Sequence, residues 1–264
     1  MELLDRIDAY CDAVPRPVTR AEDFGSIVLF VRKGEGWPYY ARPRRGGPEP
    51  TAADVARVRE RQRGLGIPEA FEWIADVSPA MRAAATEAGV PPNDHPLMIH
   101  RGGEVDAGGL DVRLVGPDEE LGELASVAPV AFANPGTAVG EAGDVELRRL
   151  VAVRRPEADA ALRERLRSNA AVLAVGYLDG RPVASGMHIP VGGVTEVVGV
   201  GTLPAARRRG FGAAVTAALV DDARRRGAET VFLSAGSEEI ARLYASLGFE
   251  RIGTACIAEP ATGR

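Results

Sequence analysis

The segment Arg207-Arg208-Arg209-Gly210-Phe211-Gly212 follows a nearly continuous apolar run, Val194 to Val200, and opens a helical pattern carried by Phe211, Val215 and Leu219. A strand that passes through a basic, glycine-punctuated turn into a helix makes an anion site. The first N–H groups of the helix have no partner within it, and the helix dipole adds positive potential there. Gly210 and Gly212 lack the Cβ atoms that would hold a phosphate off the backbone. A Walker A loop is excluded because Gly-Lys-Ser/Thr is absent. A dinucleotide fingerprint fails because Pro204 stands where its third glycine belongs.

Two further residues could handle protons. Glu196 interrupts the apolar strand, and a charge there is costly unless it is paired or functional. Strand alternation places it on one face with Val198, Val200 and Thr202. It reads either as a base or as an acid salt-bridged at the strand's wet end. Tyr244 belongs to an inward stripe with Ile240, Leu243 and Leu247, so it reads as a core tyrosine or as a phenol donor. With an ordinary pKa of about 10, a phenol is protonated at neutral pH and able to donate.

The pattern R-x-x-G-x-G, formed by Arg207, Gly210 and Gly212, resembles the acetyl-CoA signature of the GCN5-related N-acetyltransferases, the GNAT family. Ser237 to Phe249, S-E-E-I-A-R-L-Y-A-S-L-G-F, is similar to the family's second signature. Tyr244, Gly248 and Phe249 match that signature, and Ser237 stands in place of its Asn. The resemblance implies that the amides from Gly210 through Phe211, Gly212 and Ala213 hold the CoA pyrophosphate. It implies that Val200, Gly201 and Thr202 offer backbone groups to the pantetheine arm where two strands part. Gly199 and Gly201 suit such an opening, or mark only a bulge. The side chains of Arg207, Arg208 and Arg209 either contact the 3′-phosphate of CoA or are solvated. Ser237 caps its helix and replaces at most part of the Asn amide. Tyr244 would protonate the leaving thiolate. Glu196, fourteen residues before Gly210, has the spacing of the glutamate base in histone-acetylating members. An ordinary glutamate, near ~4.3, is about six units too weak to take a proton from a lysine-like ammonium, so burial or a water chain must help.

These residues need a scaffold. From Val112 the pattern reads strand, helix (Asp118 to Phe132), broken helix (Asp144 to Ser168), three antiparallel strands, the cradle helix, the strand Thr230 to Ser234, the Ser237 helix and a last strand from Phe249. This order resembles the complete GNAT fold: an α/β (α+β) architecture with a mixed central sheet flanked by helices. Before it, a helix from Leu3 to Cys11 precedes strands at Gly25 to Val31, Trp37 to Ala41, Phe71 to Val77 and His95 to His100. Helices led by Thr51 and by Ser78-Pro79 lie among them. That half resembles a partial, degenerate GNAT domain without the R-x-x-G-x-G turn. The glycine-rich stretch Arg101 to Gly109 reads as the linker, giving domains at 1–103 and 104–264.

The chain has 264 residues, 45% of them hydrophobic and 26% charged, the balance of a globular protein. A net charge of −5 argues against nucleic acid. No apolar run approaches the roughly 20 residues of a membrane span. Cys11 and Cys256 are too few for a disulfide framework, and with an acidic N-terminus they suggest the cytoplasm. His95, His100 and His188 are scattered, so no metal is expected. The cosubstrate implied is acetyl-CoA, and the partner a small-molecule or peptide amine; a homodimer is compatible. The reading from another class is a non-catalytic acyl-CoA sensor built on the same cradle.

Overall fold

The computed structural model describes residues 2–34, 36, 38–103 and 109–260. In chain order the elements are α1 (Leu3–Ala13), β1 (Thr19–Asp23), β2 (Ile27–Arg32), β3 (Ala41–Pro43), α2 (Ala52–Leu65), β4 (Phe71–Ile74), α3 (Ala80–Glu87) and β5 (Pro92–His100). There follow β6 (Val112–Leu114), α4 (Leu121–Leu124), α5 (Val127–Ala133), α6 (Asp144–Ala152), α7 (Pro156–Arg167), β7 (Val172–Leu178), β8 (Arg181–Val191) and β9 (Val194–Thr202). The chain closes with α8 (Phe211–Arg225), β10 (Thr230–Ser234), α9 (Glu238–Ser246) and β11 (Phe249–Ala258).

Two compact units result. The first holds residues 1–98, 234–241 and 251–264, and the second holds 99–233 and 242–250. The division is therefore not one cut at 103/104. The closing segments return to the first unit because β11 pairs antiparallel with β4, Cys256 opposite Trp73, and buries Cys256 and Ala258 in that unit's core. Of the expected linker, residues 104–108 lie outside the described residues.

In the first unit the strand order is β1-β2-β3-β4-β11-β5. Its core joins Ile27, Leu29, Phe71 and Trp73 of the sheet to Val55 and Val58 of α2 and Met81, Ala84 and Ala85 of α3. β3 leads through α2 to β4, which runs parallel to it, the same strand-helix-strand unit that β9, α8 and β10 form in the second. The expected strand from Trp37 becomes β3, which starts at Ala41; Trp37 itself lies outside the described residues. Strand β1, T-R-A-E-D, escapes a hydrophobic reading because it is a polar strand pairing only with β2.

In the second unit the order is β10-β9-β8-β7-β6, antiparallel except for the parallel pair β10 and β9. The expected helix from Asp118 to Phe132 is two short helices, α4 and α5, interrupted at Ala125 and Ser126. On one face Leu121, Leu124, Leu162 and Leu166 pack on Leu173 and Val175. On the other, α8 lies close because β7 and β8 present small residues to it. A Cβ on Gly176 would stand 3.1 Å from Phe211 Cδ1, and one on Gly186 only 3.1 Å from Val215 Cγ1 and 3.2 Å from Leu219 Cδ1.

A buried polar chain fixes the register of α8. His188 of β8 meets Thr195 Oγ1 through Nδ1 and Asp222 Oδ2 of α8 through Nε2, both at 2.9 Å. Burial lowers the His188 pKa, so the ring is neutral. A carboxylate can only accept, so the network assigns the ring proton to Nε2 and the Thr195 hydroxyl donates to Nδ1. Burial works to raise Asp222, but the hydrogen bonds from His188 and Arg226 outweigh it and leave the carboxyl below its usual range.

Gly186→Val should therefore destabilise the protein by roughly 1–3 kcal/mol, the usual cost of overpacking. Gly64→Ala, where a Cβ meets nothing within 4 Å, should stabilise by up to about 0.5–1 kcal/mol. Denaturant midpoints moving in opposite directions would bear this out.

Candidate functional site

The site begins where two parallel strands part. β10 pairs with β9 through Thr230–Val194, Val231–Thr195 and Phe232–Glu196, where the ladder ends, although β9 continues to Thr202. The cause lies three residues further along. Against β8, Ser185 pairs with Gly201 and Met187 with Val198, so Gly199 and Val200 together oppose Gly186. This is a β-bulge, and Gly199 takes the φ of +63° that the extra residue requires. A bulged strand bends, and here it leaves the backbone of Val197 to Thr202 unpaired on the β10 side.

The bulge also corrects the expected sharing of faces. Strict alternation puts Glu196 with Val200 and Thr202, but one inserted residue inverts the parity beyond it. Val200 Cγ2 and Thr202 Oγ1 lie against the α8 side, next to Gly186 and Gly212. Gly201 turns to the opposite face, where a Cβ would stand 2.9 Å from that of Ala131 in α5. Glu196 and Val198, half-buried between the buried Thr195 and Val197, share that α5 face.

From Thr202 the chain passes Leu203 and one 3₁₀ turn, Pro204–Ala206, into the basic segment. Arg208 (φ +63°) and Gly210 (φ +87°) both adopt left-handed backbone, which for an arginine is strained. Gly210 is the N-cap of α8 and supplies no side-chain cap, and the first intrahelical bond runs from Ala214 N–H to Gly210. The N–H groups of Phe211, Gly212 and Ala213 are thus the orphan donors of a helix start. Arg208, Arg209 and Gly210 are exposed, which makes the turn an open cradle. Arg207 behaves differently. Its guanidinium donates to the carbonyls of Thr202 (3.3 Å), Ala138 (3.2 Å) and Ala131 (3.2 Å), and also to that of Asn134.

Tyr244 lies on the buried face of α9, its ring 5.7 Å from that of Phe249, which in turn meets His100 at 5.2 Å. Burial pushes the Tyr244 phenol up to about 12, so the hydroxyl holds its proton throughout the neutral range. The inward stripe is narrower than expected, because Leu243 is exposed. Ser237 Oγ accepts from the Ile240 N–H at 3.3 Å, the N-cap interaction of α9. Among the described residues no group of His, Cys, Asp or Glu has the arrangement of a metal site. The sequence offered a bulge at Gly199 and Gly201 as one of two readings, whereas the carbonyl partners of Arg207 were not read from it. The glycines at 199 and 201 were the one signal for the bulge; nothing signalled the carbonyls.

The corresponding turn of the first unit is closed. Thr51 and Asp54 form a reciprocal capping box at the start of α2, and Pro48 and Pro50 just before it bring no N–H. The cavity of about 190 Å³ beside it is lined by Asp5, Asp8 and Glu49 as well as by Arg44 and Arg45. Asp8 there pairs with Arg42 and with Arg45, so these guanidinium groups already face a carboxylate.

Residues 144–249 match the model of the Acetyltransferase (GNAT) family. The fold is shared with a GCN5-related N-acetyltransferase from Kribbella flavida, at 22% identity and a TM-score of 0.71, over 100% of this chain and 97% of that one. It is shared also with a tandem GNAT protein from the clavulanic acid biosynthesis pathway, at 15% identity and a TM-score of 0.54, over 99% and 94% of the two chains. A GCN5-related N-acetyltransferase from Sphaerobacter thermophilus is similar at 16% identity, TM-score 0.53, over 91% and 82%. No curated protein matches the chain. No described helix is long and apolar enough to cross a membrane.

The Tyr244 phenol offers a direct test. Its folded pKa, about 12, lies above the ordinary value of about 10, so the folded state binds the proton more tightly. The resulting stabilisation is fully present below pH ~10 and is lost as pH rises towards 12, at most ~3 kcal/mol in all. Tyr244→Phe should flatten this alkaline fall in stability and remove the latest phenolate step from an ultraviolet titration. A Tyr244 phenol that titrates with the exposed tyrosines would contradict its burial.

Proposed function

We propose that the second unit transfers an acetyl group from acetyl-CoA directly to a primary amine. The observation that carries this reading is the parting of β9 from β10 beside the uncapped start of α8. Backbone without a β10 partner from Val200 through Gly201 to Thr202, whose carbonyl alone is taken up by Arg207, suits the amides of a pantetheine arm. The amides of Phe211, Gly212 and Ala213, opened by Gly210, suit the pyrophosphate, with Arg208 and Arg209 free to meet a phosphate. Glu196, at the fork, receives the proton of the attacking ammonium, directly or through water. Once deprotonated, the amine nitrogen bonds to the acetyl carbon, the C–S bond breaks and Tyr244 gives its proton to the departing sulfur; the second proton that the nitrogen sheds on becoming an amide returns, through water, to the Tyr244 phenolate. Tyr244 takes this role from its position in the family's second signature.

Pushed up to about 12 by burial, the phenol keeps its proton at neutral pH and has it available for the departing sulfur. A covalent acyl-enzyme is disfavoured. Cys256 is fully buried and its thiol is pushed up to about 12 by that burial, and Cys11 is on α1 in the first unit. The acceptor is a small-molecule or peptide amine, not a nucleic acid, and we assign the enzyme to the cytoplasm. The first unit, with its capped helix and acidic cavity, binds no CoA.

Calorimetric titration should give one acetyl-CoA per chain. At a hundredfold excess over its dissociation constant the ligand should stabilise the fold by about 2.7 kcal/mol. Gly210→Glu should abolish this, since it sets a carboxylate at the pyrophosphate; an unchanged thermal shift in that variant would exclude the cradle. With an amine found by screening for thiol release, Tyr244→Phe should lower kcat roughly 10²- to 10⁴-fold at nearly constant acetyl-CoA affinity. Tight binding without turnover of any amine would make the unit a sensor instead.

A further inference from the structure

Arg207 occupies the motif position where an arginine beside a phosphate cradle invites a phosphate contact, yet its donors are already spent. A guanidinium has five N–H groups. Four point at carbonyls: Nε at Thr202, Nη1 at Ala138, and Nη2 at both Ala131 and Asn134. Holding a phosphate in the usual forked manner needs two parallel N–H groups, and these are not left over.

The carbonyls it gathers come from one place. Ala131 lies in the last turn of α5 and Asn134 is its C-cap; the Ala131 carbonyl also accepts the Asn134 N–H at 3.2 Å, and at this negative end of the helix dipole the Arg207 cation adds a cap supplied from a distant part of the chain. Ala138 belongs to the loop that follows. The same loop is tied twice more to the turn before Arg207, by Gly140 N–H to Pro204 O at 3.2 Å and Ala205 N–H to Ala142 O at 3.1 Å. α5 packs on the face of β9 that carries Glu196, with Ala131 against Gly201. The loop and the helix end also hold two exposed apolar side chains, Phe132 and Val139.

We infer that Arg207 is a positioning residue that fixes the segment Ala131 to Ala142 on the Glu196 side of β9, and so shapes the place where the acceptor amine enters. It is not a CoA ligand. The link to the acceptor rests on the proposed transfer reaction; the strut itself does not.

The test compares the full-length protein with Arg207→Lys and Arg207→Met in three measurements. The first is the ratio of dissociation constants for CoA and 3′-dephospho-CoA, which should stay within about twofold of wild type because no phosphate contact is lost. The second is amide hydrogen exchange at Gly140 and Ala205. It should accelerate by at least about tenfold in Arg207→Met, with Arg207→Lys between that variant and wild type, as expected on losing charge-assisted bonds. The third is steady-state kinetics, where the KM for the amine should rise about tenfold while CoA affinity changes little. A ratio collapsing towards one in the variants would make Arg207 a reader of the 3′-phosphate and overturn the inference. So would unchanged exchange at Gly140 and Ala205. If Arg207→Met does not fold, Arg207→Lys carries all three arms. Should the wild type acetylate no amine, the proposed reaction fails, while the exchange arm still decides the strut.

Discussion

The geometry of the second unit depends on one inserted residue. Without the bulge at Gly199 and Val200, β9 would run on beside β10 and its backbone donors and acceptors would be consumed by the ladder. With it, pairing with β10 ends at Glu196, and Val197 to Thr202 have no partner in that strand, only the Thr202 carbonyl being taken up, by Arg207, among the described contacts. The same insertion decides which side chains face which helix. It sends Val200 and Thr202 towards α8 and keeps Glu196 on the side of α5. One φ of +63°, cheap only for glycine, thus sets Val200 and Thr202 on the opposite face of the sheet from Glu196.

A strand that gives up half its ladder must be held in other ways. On the α8 face the holding is by close packing, since Gly176, Ala184 and Gly186 let the helix approach until Val215 and Leu219 nearly touch the strand backbone. It is also by the chain Thr195, His188, Asp222, which couples β9, β8 and α8 through groups that are all buried. Such a chain is valuable when every member is satisfied, because an unpaired buried polar group costs roughly 1–3 kcal/mol. On the α5 face the holding is by Arg207. The cradle's backbone is therefore fixed from both sides, while the cradle amides themselves are left open.

How much of this was legible in the sequence follows from the range of the signals. The strand, turn and helix from Val194 to Arg225 could be read because apolar spacing and paired glycines are local. The polar strand β1 had no hydrophobic signal, and the break between α4 and α5 is a tertiary effect of packing on two parts of the sheet. The bulge was half-legible: two glycines announced an irregularity but could not say which residue was extra. The return of β11 to the first unit was out of reach, since pairing with β4 joins residues some 180 positions apart in sequence, as in Ala255 with Ile74. The carbonyl partners of Arg207 were equally hidden, because a backbone acceptor leaves no trace in residue type.

The two helix starts differ in how their first amides are satisfied. Both α2 and α8 follow a strand through a turn rich in arginine and glycine, and both return to a parallel neighbour. α2 satisfies its own amides with Thr51 and Asp54, and its turn spends Arg44 on the carbonyl of Gly25. α8 starts at Gly210 and leaves the same donors to solvent. Replacing a side-chain cap by glycine costs only a few tenths of a kcal/mol, because water hydrates the exposed amides. A ligand that displaces this water gains several charge-assisted hydrogen bonds at once. The open start is thus nearly free in stability, whereas a capped start cannot bind an anion without first breaking its own box. That asymmetry, more than the count of arginines, assigns the cradle to the second unit.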